Sequence, residues 1–203
     1  MRKYIAPSQN NAGEAQTLLQ HRQGVADLMR SFSLSKEYED LFAFCGLAHD
    51  IGKYSSKFQD YINGCGNGEP HAVWGAYYAV NNELINLAFP IFGHHIGLPN
   101  NGYMRERVES CENSKWIEIE QAIKDDGFNI SLPDNTPFCS LGSITQQELF
   151  VRFLYSALVD ADSLDTERHF LPDSFLRREH IDLDVDNLIN CLTNKFSGFK
   201  SDT

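Results

Sequence analysis

The sequence predicts an all-α fold, a helical bundle with a metal site in its core cleft, and three observations lead there. Apolar residues recur at steps of three and four along most of the chain. No stretch carries a convincing sheet pattern, and there is neither an internal repeat nor a low-complexity tract. Histidines and aspartates fall where apolar helices should end or face inward, so several helices can each present a ligand to one cavity.

Taken in order, the first helix is expected from Glu14 to Phe32, where Leu18, His21, Val25, Leu28 and Phe32 form one face and turn His21 inward. Glu37 to His49 is nearly apolar all round, which predicts a central, buried helix that Gly52 breaks. Ser55 is positioned to cap a short helix through Phe58 and Ile62. After the loop NGCGNGE, Pro70 suits the first turn of a helix beginning at His71, along which Ala72, Gly75, Ala76 and Ala79 allow close packing. Leu84 to Ile96 reads as an apolar helix interrupted by Pro90 that delivers His94 and His95 at its end.

From Leu98 to Asn113 the chain is polar and turn-rich, which predicts a substrate-facing loop. A helix follows near Ser114 to Lys124, then an irregular stretch from Asp125 to Gly142. Thr145 and Glu148 match a capping box, so a long helix should start there, with Phe150, Phe153, Leu154, Ala157, Leu158 and Ala161 on its apolar face. A last amphipathic helix is expected from Val185 to Phe196.

Length and composition narrow the function classes. A chain of 203 residues with 42% hydrophobic content is most simply one domain over 1–203. No apolar run suits a membrane span or a signal peptide, which predicts a cytoplasmic protein without a membrane partner. The five cysteines, Cys45, Cys65, Cys111, Cys139 and Cys191, are scattered and never form CxxC, so reduced thiols are expected rather than disulfides or a zinc ribbon. A formal net charge of -11 would repel a polyanion over most of the surface. Any nucleic acid must be held locally, with cations in the site and Lys53, Arg105, Arg107 and Arg152 as sources of positive charge.

The chemistry centres on His49-Asp50 in the run LAHDIGK. Imidazole suits Mn, Fe, Co, Ni or Zn, and a carboxylate can span two cations through its two oxygens. Further ligands are available in His21, His71, the pair His94 and His95, and the late Asp160-Ala161-Asp162. Adjacent histidines between Phe92 and Ile96 are costly to bury without strong partners. No Ser-His-Asp order, Walker-type phosphate loop or cysteine-nucleophile motif competes with the metal reading.

The order of these pieces resembles the HD superfamily of metal-dependent phosphohydrolases, and within it the HD nuclease domain of Cas3, the CRISPR-associated nuclease-helicase. The pieces are His21 in the first helix, LAHDIGK followed by KFQ at 57–59, HAVWGA from His71, FGHHIG with His94 and His95, and SALVDADSLDTE from Ser156 to Glu167. The resemblance implies one metal held by His21, His49, Asp50 and the late aspartate, and a second held by Asp50, His71, His94 and His95. Asp50 would bridge them. The residues leave the late aspartate open, because Asp160 and Asp162 lie about 200° apart around a helix and only one can face the site. Asp162 is favoured, since it leaves Thr166 one turn on, a hydroxyl that could orient it or contact substrate. Lys53 matches the family's lysine and could hold a phosphate oxygen or a metal-bound water, which casts Asp50 and Lys53 as catalytic.

The resemblance further implies cleavage of single-stranded DNA in CRISPR interference, with a Cas3 helicase domain in cis or in trans and the CRISPR surveillance complex (Cascade) as partners. The helicase motor is missing from this chain, which would be a stand-alone subunit or an excised domain. Two other readings stand beside this one: a phosphohydrolase of nucleotides or cyclic dinucleotides, and a non-catalytic, metal-stabilised interaction module. Histidine-rich ligation favours one or two ions of Mn, Fe, Co or Ni over Mg, which prefers oxygen ligands.

Overall fold

The fold was analysed in a computed structural model that describes residues 4–6, 9–33, 35–134, 142–178 and 184–197. No strand forms among them, and the one extended pairing is an isolated bridge between Ile5 and Thr17. The protein is an α-helical bundle. Helix α1 (Leu18–Ser31) starts later than Glu14 because Thr17 caps it: Gln20 N donates to Thr17 Oγ1 and Thr17 N donates to Gln20 Oε1, both at 3.1 Å. Helix α2 (Glu39–Ala48) buries every residue from Leu41 to Ala48, as its uniformly apolar sequence requires. It ends at His49, three residues before Gly52, and the chain continues through a 3-10 turn over Ile51–Tyr54.

Ser55 caps α3 (Ser56–Ile62) by accepting from Phe58 N at 3.2 Å. His71 is the N-cap of α4 (Ala72–Asn81), so Pro70 lies before that helix rather than in its first turn. Helix α5 (Ile85–Gly93) contains Pro90 and stops at His94, short of Ile96. The Leu98 to Asn113 segment is not a loop throughout: α6 (Asn101–Glu109) forms there, capped by Asn100 accepting from Tyr103 N at 2.8 Å and held by buried Met104 and Val108. Two inward residues one turn apart suffice for a surface helix where sequence periodicity is too thin to reveal it.

Helix α7 (Asn113–Asp125) follows, and residues 135–141 of the stretch expected to be irregular, with Cys139, lie outside the described residues. The long helix α8 (Ile144–Phe170) is capped by Ser143, which accepts from Gln146 N at 3.2 Å, and not by Thr145. Glu148 is instead drawn to Arg152 one turn on, at 2.6 Å. Two shorter helices, α9 (Pro172–Leu176) and α10 (Val185–Ser197), complete the described chain. Cys45 is a buried free thiol, Cys111 a half-buried one, and Cys65 and Cys191 are exposed. None of the described helices is long and apolar enough to cross a membrane.

Helix α8 lies along α1, α2 and α5, while α4 packs on α5 and α6. Close approach depends on small residues at defined points. A Cβ on Gly46 would come within 2.7 Å of Ala26 Cα, where α2 meets α1. A Cβ on Gly75 would land on the Ala48 carbonyl oxygen and 2.6 Å from Ile91 Cγ2, so α4 can sit against the end of α2 only because glycine stands there. Gly52 likewise accommodates the backbone of His71. We expect Gly75→Ala to destabilise the fold by about 1–3 kcal/mol through overpacking, read as a lower urea midpoint; an unchanged midpoint would contradict this helix contact.

Candidate metal centre

Six elements end or pass at one cleft. His21 projects from the middle of α1, His49 follows α2, Asp50 opens the 3-10 turn, His71 heads α4, His94 and His95 follow α5, and Asp162 comes from α8. His21, His49, Asp50 and His94 are buried, Asp162 and His71 are partly buried, and His95 is at the surface. Asp50 is the hub. Its Oδ2 lies 3.4 Å from His21 Nε2 and 3.3 Å from His49 Nε2, and its Oδ1 lies 3.0 Å from His71 Nε2 and 3.7 Å from His94 Nε2. Asp162 Oδ1 is 3.2 Å from His21 Nε2 and 3.8 Å from His49 Nε2. His71 Nε2 and His95 Nε2 face each other at 3.0 Å.

The structure thus brings together the seven ligands expected from the sequence. Ligand atoms of Asp50, His71, His94 and His95 lie within 4.8 Å of one another, as do those of His21, His49 and Asp50. A third grouping, His49, His94 and Asp162, joins the two halves. Asp160 is exposed, on the other side of α8 from Asp162. Thr166 lies half-buried one turn beyond Asp162 and takes no part in these contacts.

The cleft fits a cation by its own chemistry. His49 donates its Nδ1 proton to Gly46 O at 2.7 Å, His94 donates to Ile91 O at 2.7 Å, and His21 donates to Asp165 Oδ2 at 2.9 Å. Each bond fixes the ring so that Nε2 points into the cleft. The buried Nε2 atoms of His49 and His94 and both oxygens of Asp50 lack a hydrogen-bond partner. Lys53 Nζ comes within 2.6 Å of Asp50 Oδ2 but off the line that a hydrogen bond needs. Buried polar atoms without partners are costly, and a divalent ion among them would satisfy several at once.

The electrostatics divide the histidines. Burial disfavours a charge on His21, but the carboxylates of Asp162, Asp165 and Asp50 beside it outweigh that and hold its pKa well above the ordinary value of 6.5. Burial lowers the pKa of His49. Burial, with His94 and His71 nearby, lowers that of His95 to about 4. Burial would raise the pKa of Asp50, yet Lys53, His49 and His71 keep it well below the usual carboxylate range. Burial acts against ionised Asp162 too, and its hydrogen bond with His21 wins, so its pKa is also lowered. Because its folded pKa is raised, His21 stabilises the metal-free fold fully below about pH 6.5 and less as pH rises through that folded value.

Four residues outside the expected ligand set build the surroundings. Asp165 is buried, braces His21, and itself accepts from Gln16 Nε2 at 2.7 Å. Its signal was an acid one turn after Asp162 on the same helical face. Gln59 explains the KFQ run: its side chain donates to Lys53 O at 2.8 Å and to Ile5 O at 3.0 Å and accepts from Ile5 N, which holds the Lys53 segment in place. Phe58 packs edge-on against His71, with ring centroids 5.1 Å apart. Arg22 is fully buried, donates from Nε to Leu47 O at 2.6 Å, and stacks over Phe128, tying α1 to the end of α2 beside the hub. Nothing in the spacing of apolar residues marks an arginine as inward-facing.

Two outcomes follow from this geometry. Asp165→Asn should weaken Mn binding about 10- to 100-fold, the cost of losing an outer partner of a histidine ligand, as measured by calorimetry; unchanged affinity would show that His21 needs no such brace. Mn titration at pH 7 should also release about one proton from His21, whose raised pKa keeps Nε2 protonated until a cation displaces it, while His49 and His95 are already neutral. Calorimetry in buffers of different ionisation enthalpy measures that proton, and its persistence in His21→Gln would refute the assignment.

The chain matches the family model described as Cas3, HD domain, over residues 10–162. No curated protein matches it. The matched span contains every candidate ligand of the cleft, from His21 to Asp162, and the family implies a CRISPR-associated, metal-dependent phosphohydrolase. On this match the chain belongs to the family of Cas3 HD domains.

Proposed function

We propose that this protein is a metal-dependent nuclease that cuts single-stranded DNA in CRISPR interference. The observation that carries the reading is the convergence of five histidines and two aspartates on one cleft in which buried Nε2 atoms and both oxygens of Asp50 stand without hydrogen-bond partners. His21, His49, Asp50 and Asp162 would hold one cation, Asp50, His71, His94 and His95 a second, with Asp50 between them. Bound divalent cations would supply Lewis acidity, activating water and neutralising charge on a phosphodiester. The histidine-rich donor set favours Mn, Fe, Co or Ni over Mg.

The remaining work falls to the chain's own groups. Asp50 stays ionised across the physiological range and keeps the two halves of the cleft at a fixed distance. Lys53, 2.6 Å from Asp50 Oδ2, would hold a phosphate oxygen of the substrate. Thr166, one turn beyond Asp162, would offer its hydroxyl to substrate. We infer that the protein is cytoplasmic, and that a Cas3 helicase domain, in cis or in trans, and the surveillance complex Cascade deliver the strand.

Unpairing duplex DNA costs on the order of 1.4 kcal/mol per base-pair step, and an acidic chain offers little to offset it. With Mn, the isolated protein should cut a labelled single strand, spare matched linear duplex, and lose cleavage entirely in Asp50→Ala with helix content retained. Turnover of free nucleotides or cyclic dinucleotides but not of the strand would refute the nuclease reading, and metal-dependent melting without turnover of any phosphoester would point to a non-catalytic module.

A further inference from the structure

Helix α6 lies against α4 and turns Met104 and Val108 into the core. Tyr103 and Arg107, one turn apart, line a cavity of about 320 Å³ together with Phe92, Ile96, His71 and His95. The cavity therefore opens directly off the metal centre, on the side of its most exposed histidine. The Tyr103 ring meets Phe92 in a T-shaped contact at 5.8 Å and remains 46% exposed, so one side is held and the rest is open. Arg107 makes no ion pair among the described residues.

A second cavity of about 150 Å³ shares Arg107 and Glu69 with the first and runs on to Ser110 and Lys115. Glu69 would repel a phosphate if it were free. It is matched by Lys115 at 3.2 Å and Lys57 at 3.6 Å and accepts from Ser55 Oγ at 2.7 Å. Glu112 is the other carboxylate lining that cavity, against Arg107 and Lys115. In a chain of net charge -11, Arg107 and Lys115 balance the two carboxylates along these cavities, which is a local exception. An exposed aromatic ring followed by cations is the pattern that holds single strands, the ring stacking a base and the cations tracking phosphates. A cavity near 320 Å³ suits one nucleotide and excludes a duplex.

We propose that these two cavities hold the strand beside the scissile phosphate, one base stacked on Tyr103 and the adjoining phosphate on Arg107. The proposal rests on the single-strand nuclease reading and names the path of its substrate. The test compares kcat/KM for a single-stranded oligonucleotide with that for bis(p-nitrophenyl) phosphate, a diester with no flanking nucleotide, both with Mn.

Tyr103→Ala and Arg107→Ala should each lower the oligonucleotide-to-diester ratio about tenfold, the order of effect of a lost stack or phosphate contact. Tyr103→Phe should restore the ratio, since the ring and not the hydroxyl is used. Arg107→Ala should also flatten the slope of log(kcat/KM) against log salt by about 0.7, one phosphate's share for a single strand. Parallel loss on both substrates, or an unchanged ratio in both alanine variants, would overturn the path while leaving the nuclease reading intact. A wild-type chain that hydrolyses the diester and no oligonucleotide would overturn both.

Discussion

A carboxylate with 1% of its side chain exposed must find compensation for the water it has lost, and the rest of this bundle can be understood from that demand on Asp50. Four histidine rings and Lys53 lie within 4 Å of its two oxygens, and none of these contacts satisfies it by a hydrogen bond. Burial on its own would drive Asp50 toward the neutral form. The partners reverse that, so the residue remains an anion at the centre of a buried cleft. Such an arrangement is poor as a structural ion pair and well suited to a site completed by added positive charge.

Bringing so many ligands to one carboxylate requires backbones to approach more closely than ordinary side chains permit. Gly46, Gly52 and Gly75 stand where α1 meets α2, where the turn after Asp50 meets His71, and where α4 meets the end of α2. The runs LAHDIGK and HAVWGA therefore contain two kinds of residue: the candidate ligands, and glycines that let the segments carrying them touch. The same division holds in α8, where Asp162 faces the cleft and Asp165 steadies the ring opposite.

Much of this was legible in the sequence because the ligands are chemically distinctive and sit at element ends. The 100° step of a helix allowed only one of Asp160 and Asp162 to face the cleft; Asp162 faces it and Asp160 is exposed. What could not be read was interaction between segments far apart in sequence. Asp165 pairs with His21 across 144 positions, Gln59 reaches back to Ile5, and Arg22 is inward because Leu47 O and the Phe128 ring happen to receive it. Helix starts failed for a different reason. Ser143 and Thr145 both carry capping chemistry, and the competition is decided by Glu148, which pairs with Arg152. Helix α6 was missed because two inward residues leave almost no periodic trace.

The two histidines anchored to backbone carbonyls, His49 and His94, mark the carboxyl ends of α2 and α5. Each helix carries about half a negative charge at that end from its aligned peptide dipoles. Both ends are aimed at the same cleft, so the main chain favours cations there before any side chain is counted. That field would oppose an approaching phosphodiester, and with Asp50 and Asp162 ionised the opposition grows. On the proposed reading, assembly would have a built-in order: a phosphodiester would be repelled from this cleft until bound cations had offset its negative field.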